Sequence, residues 1–182
     1  SFWREELLQV EAELGMTLND QQRKAVLTAV SSPLTILTGG PGTGKTMTQK
    51  ALVSLYHRVY PGKTVACCAP TGRAARRMEE STGVKAATIH KALKLLAGED
   101  GVFSEPEPLD ADLVLVDEVS MLDVYLAESL FRALKPGCQL VLVGDADQLP
   151  SVGPGAVLRE LLSCGQIPVV RLTKIYRQSA DS

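Results

Sequence analysis

Five stretches of the chain, residues 34–38, 64–69, 113–117, 139–143 and 169–172, are apolar almost throughout instead of alternating with polar positions. A strand with water on one face alternates, whereas a strand covered on both faces of a parallel sheet reads as one continuous apolar run. Between these runs the period changes. Leu52, Leu55, Tyr56 and Val59 fall on one helical stripe, and Leu122, Tyr125, Leu126, Leu130 and Leu134 fall on another, as 3.6 residues per turn requires. Strand and helix take turns, an order that gives right-handed crossovers and helices on both faces of a sheet. Two more helices are predicted ahead of the first strand, over 2–14 and 20–30. No internal repeat is visible. Residues 97–112 interrupt the rhythm with Gly98, Gly101, Pro106, Pro108 and six acidic residues, and read as an insertion.

Composition narrows the class. A chain of 182 residues with 45% hydrophobic residues and a mean hydropathy of +0.07 fits one domain with a real core, not a disordered tail. Nineteen basic residues against 21 acidic ones leave a net charge of −2 and no overall pull toward nucleic acid. Charge therefore matters only locally. Between positions 73 and 94, Arg73, Arg76, Arg77, Lys85, Lys91 and Lys94 outnumber Glu79 and Glu80. By composition alone this fits a solvated helix face as well as a phosphate-binding one. No run approaches the ~20 apolar residues that span a bilayer, and no signal peptide is visible. A cytoplasmic location with no membrane role is expected. Cys67, Cys68, Cys138 and Cys164 lack metal-ligand spacing and are expected as reduced core residues. A chain that opens at Ser1 and stops at Ser182 reads as part of something longer.

The first strand leads into "TGGPGTGKT", residues 38–46, which satisfies G-x-x-x-x-G-K-[ST] with a helix predicted behind it. In that context Gly40, Pro41, Gly42, Thr43 and Gly44 form a loop whose N–H groups can turn toward phosphate oxygens. The helix start adds partial positive charge. Lys45 is placed for the β- and γ-phosphates of ATP, and Thr46 for Mg²⁺. "LVLVDEVSML" adds Asp117 at another strand end as the second Mg²⁺ residue, with Glu118 next to it as general base for the attacking water. The D-x-x-G and N-K-x-D patterns of a GTPase are absent. A third strand end, "GDADQLPSVGPG", carries Asp145, Asp147 and Gln148 before a turn stiffened by Pro150 and Pro154.

Seven blocks, "LNDQQRKAV", "GGPGTGKT", "APTGRAARR", "TIHKAL", "VDEVSML", "GDADQLPSVGPG" and "LTKIYRQ", run in order across residues 18–178. Together they closely resemble the early motifs of superfamily 1 DNA helicases of the RecD/TraA-like group. The resemblance implies an α/β P-loop NTPase fold, a RecA-like parallel sheet with helices on both faces. It implies a helical extension over 1–17 and the first of two motor domains over 18–182, with the second motor domain not represented. The activity implied is ATP-dependent 5′-to-3′ helicase action, in repair, recombination or conjugation. Single-stranded DNA and its junctions with duplex would be the partners, with or without nuclease-complex subunits. Rival readings are a nucleotide-gated, non-catalytic module of a repair complex and a P-loop ATPase or kinase of another class.

The resemblance also assigns roles. The strand ending at Gly144 is expected between the cradle strand and the Asp117 strand, so that Gln148 reads the γ-phosphate or the attacking water and Asp145 supports the magnesium network. Arg177 is implied to reach the γ-phosphate, while Tyr176 packs. Gln22 is implied at the adenine edge, although Asn19-x-x-Gln22 also fits a capping box. Pro70, Thr71, Thr88 and His90, with Arg73 as a weaker member, are implied to touch the DNA backbone. Residues 97–109 occupy the slot of a strand-splitting pin with Phe103 as its wedge, or form a plain surface hairpin.

Overall fold

The computed structural model describes residues 1–148 and 156–176. Its sheet comprises β1 (Leu34–Gly39), β2 (Val65–Ala69), β3 (Ala86–Thr88), β4 (Leu113–Val116), β5 (Gln139–Gly144) and β6 (Val169–Leu172), all parallel, in the order β3-β2-β4-β5-β1-β6. β5 thus lies between the cradle strand and the strand leading to Asp117, as the resemblance implies. Around the sheet pack α1 (Phe2–Leu14), α2 (Asp20–Ser31), α3 (Lys45–Val59), α4 (Gly72–Thr82), α5 (Ile89–Ala92), α6 (Val124–Ala133) and α7 (Ala156–Ser163).

The unbroken apolar runs have a simple cause: alternate residues of each strand enter different cores. Leu37, Leu113, Leu115, Val141 and Val143 meet Leu52, Leu55, Tyr56 and Met78 on the face of α1 to α4. Ile36, Val114, Val116, Leu140 and Leu142 meet Ile89, Leu122, Leu126, Leu130 and Leu158 on the other. Burying one such side chain stabilises the fold by ~1.5–3 kcal/mol, so water is excluded from both faces.

Local signals set the helix starts. Asn19 Oδ1 accepts the Gln22 N–H while Gln22 Oε1 accepts the Asn19 N–H, a complete capping box. Thr71, Thr88 and Asp123 each accept an N–H three residues on, opening α4, α5 and α6. Buried Glu11 ties α1 to α2, accepting the Leu18 N–H at 2.6 Å and the Arg23 guanidinium at 3.0 Å. That carboxylate holds the Arg23 pKa above its ordinary value. Gln139 Nε2 reaches the carbonyls of Ala29, Val30 and Ser32 where α2 ends.

Several expectations need correction. Tyr125 lies on the predicted buried stripe but is 83% exposed, because α6 turns that side away from the sheet. β3 and α7 have no strand or helix predicted for them. Of the four cysteines only Cys67 and Cys68 are core residues; Cys138 is half-buried and Cys164 exposed. Burial pushes the Cys67 thiol up to about 11 and Cys68 up to about 12. In the insertion, Ala97 bridges Phe103 antiparallel and the Gly98 N–H donates to Val102 O, a minimal hairpin. Leu109 and Ala111 are buried against the body. Among the described residues no helix is long and apolar enough to cross a membrane.

Candidate nucleotide site and the adjoining strand ends

Because every strand is parallel, the turns that follow them share one edge of the sheet. The glycine loop leaves β1 there, Pro70 and Thr71 leave β2, Asp117 and Glu118 leave β4, and Asp145 leaves β5. In open α/β sheets this carboxyl edge is where ligands bind.

The loop is held by its own backbone. Gly42 and Gly44 have φ of 78° and 85°, a region that glycine enters without steric cost. Thr43 Oγ1 donates to the Gly40 carbonyl at 2.7 Å. The Gly44 carbonyl accepts from the Thr48 hydroxyl at 2.7 Å and from Gln22 Nε2 at 3.2 Å. A Cβ on Gly44 would collide with Gln22 Nε2 and Tyr176 Cβ, and one on Gly39 with Thr43 Oγ1. Tyr176 packs here, and its N–H donates to the Gly42 carbonyl at 2.8 Å. Lys45 then opens α3.

Lys45, Thr46, Asp117 and Glu118 line a single pocket of about 180 Å³. Asp117 is fixed twice: Oδ1 accepts the Glu118 N–H at 2.7 Å, and Oδ2 accepts from Gln49 Nε2 at 3.3 Å. Glu118 has φ 53°, a left-handed backbone that a non-glycine residue adopts at a cost. The other end of the Gln49 amide, Oε1, is buried without a hydrogen-bond partner. An oxygen-rich corner of Thr46 hydroxyl, Asp117 carboxylate and an orphaned amide oxygen fits a hard, hydrated cation that takes few protein ligands. Among the described residues no cluster of three or more His, Cys, Asp or Glu could hold a metal on its own, so an ion in this corner would need ligands from a phosphate chain.

The remaining predicted residues are distributed less uniformly. Asp145 is 7% exposed, and its Oδ2 lies 4.0 Å from a Cβ built on Gly40, beside the loop. Gln148 and Asp147 are exposed on a short 3-10 turn, and Gln148 is not among the residues lining the pocket. Gln22 is fully buried, with both ends of its amide occupied by the capping box and by Gly44. Of its two possible roles, the capping box is the one formed here. Arg177, Pro150 and Pro154 lie outside the described residues. Three participants escape sequence reasoning. Gln49 lies one turn beyond Lys45 on the same face of α3, its polarity amid buried neighbours being the available signal. Arg77 is hidden within a general basic excess. Gln21 accepts the N–H groups of Thr173 and Lys174 and donates to Thr173 Oγ1, strapping the chain after β6 to α2.

The second surface lies along the same edge. Ala69 of β2 stands opposite Thr88 of β3, so Pro70 and Thr71 emerge beside Thr88 and His90. Arg73 is exposed on the first turn of α4. The His90 ring lies 5.0 Å from that of Phe103. Both line a groove of about 570 Å³ between the hairpin and α6. That groove is away from the glycine loop, and the phosphate chemistry belongs to the smaller pocket.

A parallel sheet of this order, a glycine loop opening a helix, and an acidic pair at a neighbouring strand end together define a P-loop nucleotide-binding domain. The chain belongs to the AAA domain family, whose model matches residues 22–154. The likeness to RecD is equally plain among individual relatives. The chain is 43% identical over 166 residues to the ATP-dependent RecD2 DNA helicase of Deinococcus radiodurans, covering 91% of this chain and 22% of that protein. It is 40% identical over 165 residues to the RecBCD enzyme subunit RecD of Haemophilus influenzae, covering 78% of this chain and 26% of that one. It therefore spans about a quarter of the length of these relatives. Among solved structures, Pif1 helicase from Candida albicans superposes with a TM-score of 0.66 at 23% identity, over 91% of this chain and 42% of that one. Bacteroides sp Pif1 in complex with ADP-AlF4 gives 0.62 at 23% identity, over 90% and 44%. The solved structures show the fold, a RecA-like parallel sheet, and the chain is similar to RecD and RecD2 over that quarter of their length.

Proposed function

We propose that this chain is the first motor domain of an ATP-dependent DNA helicase, in which ATP hydrolysis drives movement along single-stranded DNA. The observation that carries the reading is the meeting of Lys45, Thr46, Asp117 and Glu118 in one pocket at the strand ends, on the edge where Pro70, Thr71, Thr88 and His90 also emerge.

In this reading the loop N–H groups and Lys45 hold the triphosphate of ATP. Thr46 and Asp117 hold Mg²⁺, which when bound neutralises charge on the phosphates. Gln49 keeps Asp117 turned into the pocket, and Glu118 accepts the proton of the attacking water. Asp145, from the strand between the two, supports that network. Gln148 and Arg177 approach the γ-phosphate when nucleotide and the second motor domain close over the site. Adenine recognition by Gln22 requires its amide to exchange its present bonds for the base. Thr71 and Thr88 suit a phosphate track, because each hydroxyl oxygen already accepts a helix N–H and has its own O–H to donate. Exposed Arg73 adds charge to that track. Phe103, resting on His90, is the wedge if the hairpin meets a junction. The polarity, 5′ to 3′, and any association with nuclease subunits follow from the resemblance.

The test is steady-state ATP turnover by the full-length protein, with and without oligo(dT), beside strand separation on a forked duplex. Turnover should rise with oligo(dT), and Lys45→Ala should reduce it on the order of 10²–10³-fold and abolish unwinding. Turnover indifferent to DNA but dependent on a small acceptor would assign the fold to a kinase. Lys45→Ala that leaves unwinding by the full assembly intact would assign it to a non-catalytic module.

A further inference from the structure

Arg77 plays no part in the reading above, yet its guanidinium lies in the nucleotide pocket. Nη2 donates to Glu118 Oε1 at 3.0 Å, and the side chain lines the same cavity as Lys45, Thr46 and Asp117. The contact joins the middle of α4 to the residue that leaves β4, and the two come together only through the fold. Both partners are open to solvent, Arg77 at 60% and Glu118 at 39%. Such a pair is held weakly and exchanges readily. Its geometry is informative because α4 begins at Thr71 and Gly72, on the proposed DNA track. Arg73 stands four residues before Arg77 on the same exposed face. One turn of helix is a rise of about 5.4 Å, close to the spacing of successive phosphates on a single strand. A guanidinium grips phosphate and carboxylate with the same planar fork.

We propose that Arg77 is a latch on Glu118, released when a backbone phosphate of single-stranded DNA takes its guanidinium. Without DNA, Arg77 occupies a Glu118 oxygen, and the attacking water meets a carboxylate already engaged. In hydrolysis the attacking water gives its proton to Glu118 as its oxygen joins the γ-phosphorus, while the bond to the β-phosphate oxygen breaks and ADP departs with the electron pair. An oxygen held by Arg77 is not turned to the water that must give up the proton. When a phosphate settles between Arg73 and Arg77, the fork moves to it and the carboxylate is free to act. Arg77 is thus a positioning residue that ties turnover to the occupied track through one side-chain swing. The proposal rests on Glu118 being the base.

The experiment measures ATP turnover by the full-length protein with and without saturating oligo(dT). Arg77→Ala should raise the DNA-free rate at least about fivefold, the lower end of ordinary coupling between sites. The rate at saturating oligo(dT) should stay near that of the unaltered protein, so the stimulation ratio collapses. Arg77→Lys, which keeps the charge without the fork, should fall between. A thermal midpoint unchanged by either substitution separates the latch from a merely structural role. A DNA-free rate that is unchanged or lower in Arg77→Ala overturns the latch. Glu118→Gln tests the underlying reading independently: it should lose turnover with and without DNA, and turnover retained there would remove the base, and with it the latch.

Discussion

The carboxyl edge of the sheet carries two surfaces built on opposite terms. At the glycine loop the main chain does the holding. Gly42 and Gly44 adopt conformations closed to most residues, and the space beside Gly44 is already filled by Gln22 and Tyr176. At the ends of β2 and β3, side chains do the holding. Thr71 and Thr88 cap short helices with one half of each hydroxyl and keep the other half for a ligand. The first surface is preformed and intolerant of change. The second rests on side chains, and in the proposed reading it is the track. The proposed motor would use both kinds, a fixed grip on its fuel and a loose one on its track.

The difference can be broken at either side, and the largest effect should come from the rigid one. Gly44→Ala forces a Cβ into occupied space at φ 85°. It should cost about 1–3 kcal/mol in denaturant unfolding and remove measurable nucleotide binding by calorimetry. An unchanged affinity would mean that the loop rebuilds itself freely. Gln49→Leu is the sharper probe. It deletes the donor to Asp117 together with the orphaned Oε1, so stability should hardly move. The Mg²⁺ concentration for half-maximal turnover should rise about 10–100-fold, as when an outer-shell partner is lost. The smallest effects belong to the open surface. Thr71→Val and Thr88→Val should each cost ~1 kcal/mol as lost caps and weaken oligonucleotide binding modestly and equally for all sequences. Serine at either position should restore both. A sequence-dependent loss in fluorescence anisotropy would show that bases, not phosphates, are being read.

The same contrast explains what could be read from the chain in advance. The glycine loop, Lys45, Asp117 and the five long strands are legible because a backbone requirement or a two-sided burial leaves a pattern in consecutive residues. The position of β5 between β1 and β4 follows from the resemblance. β3 is three half-buried residues, Ala86–Thr88, that become a strand only because β2 offers them a partner. Tyr125 fits the stripe by spacing, but α6 turns it away from the sheet. Gln21, Gln49 and Arg77 act across sequence separations of 41 to 153 positions, and no local spacing announces such partners. The double use of Gln22 shows the limit from the other side. Its pattern was visible, and only the fold reveals that one amide serves a helix start and the phosphate loop together.

Glu118 sits on a twist of main chain that would suit a residue with no side chain at all. The molecule therefore carries a small, permanent handicap in durability at the residue proposed as its general base. Selection in the laboratory for heat endurance alone would be drawn to that weak spot, and the survivors would be sturdy and idle.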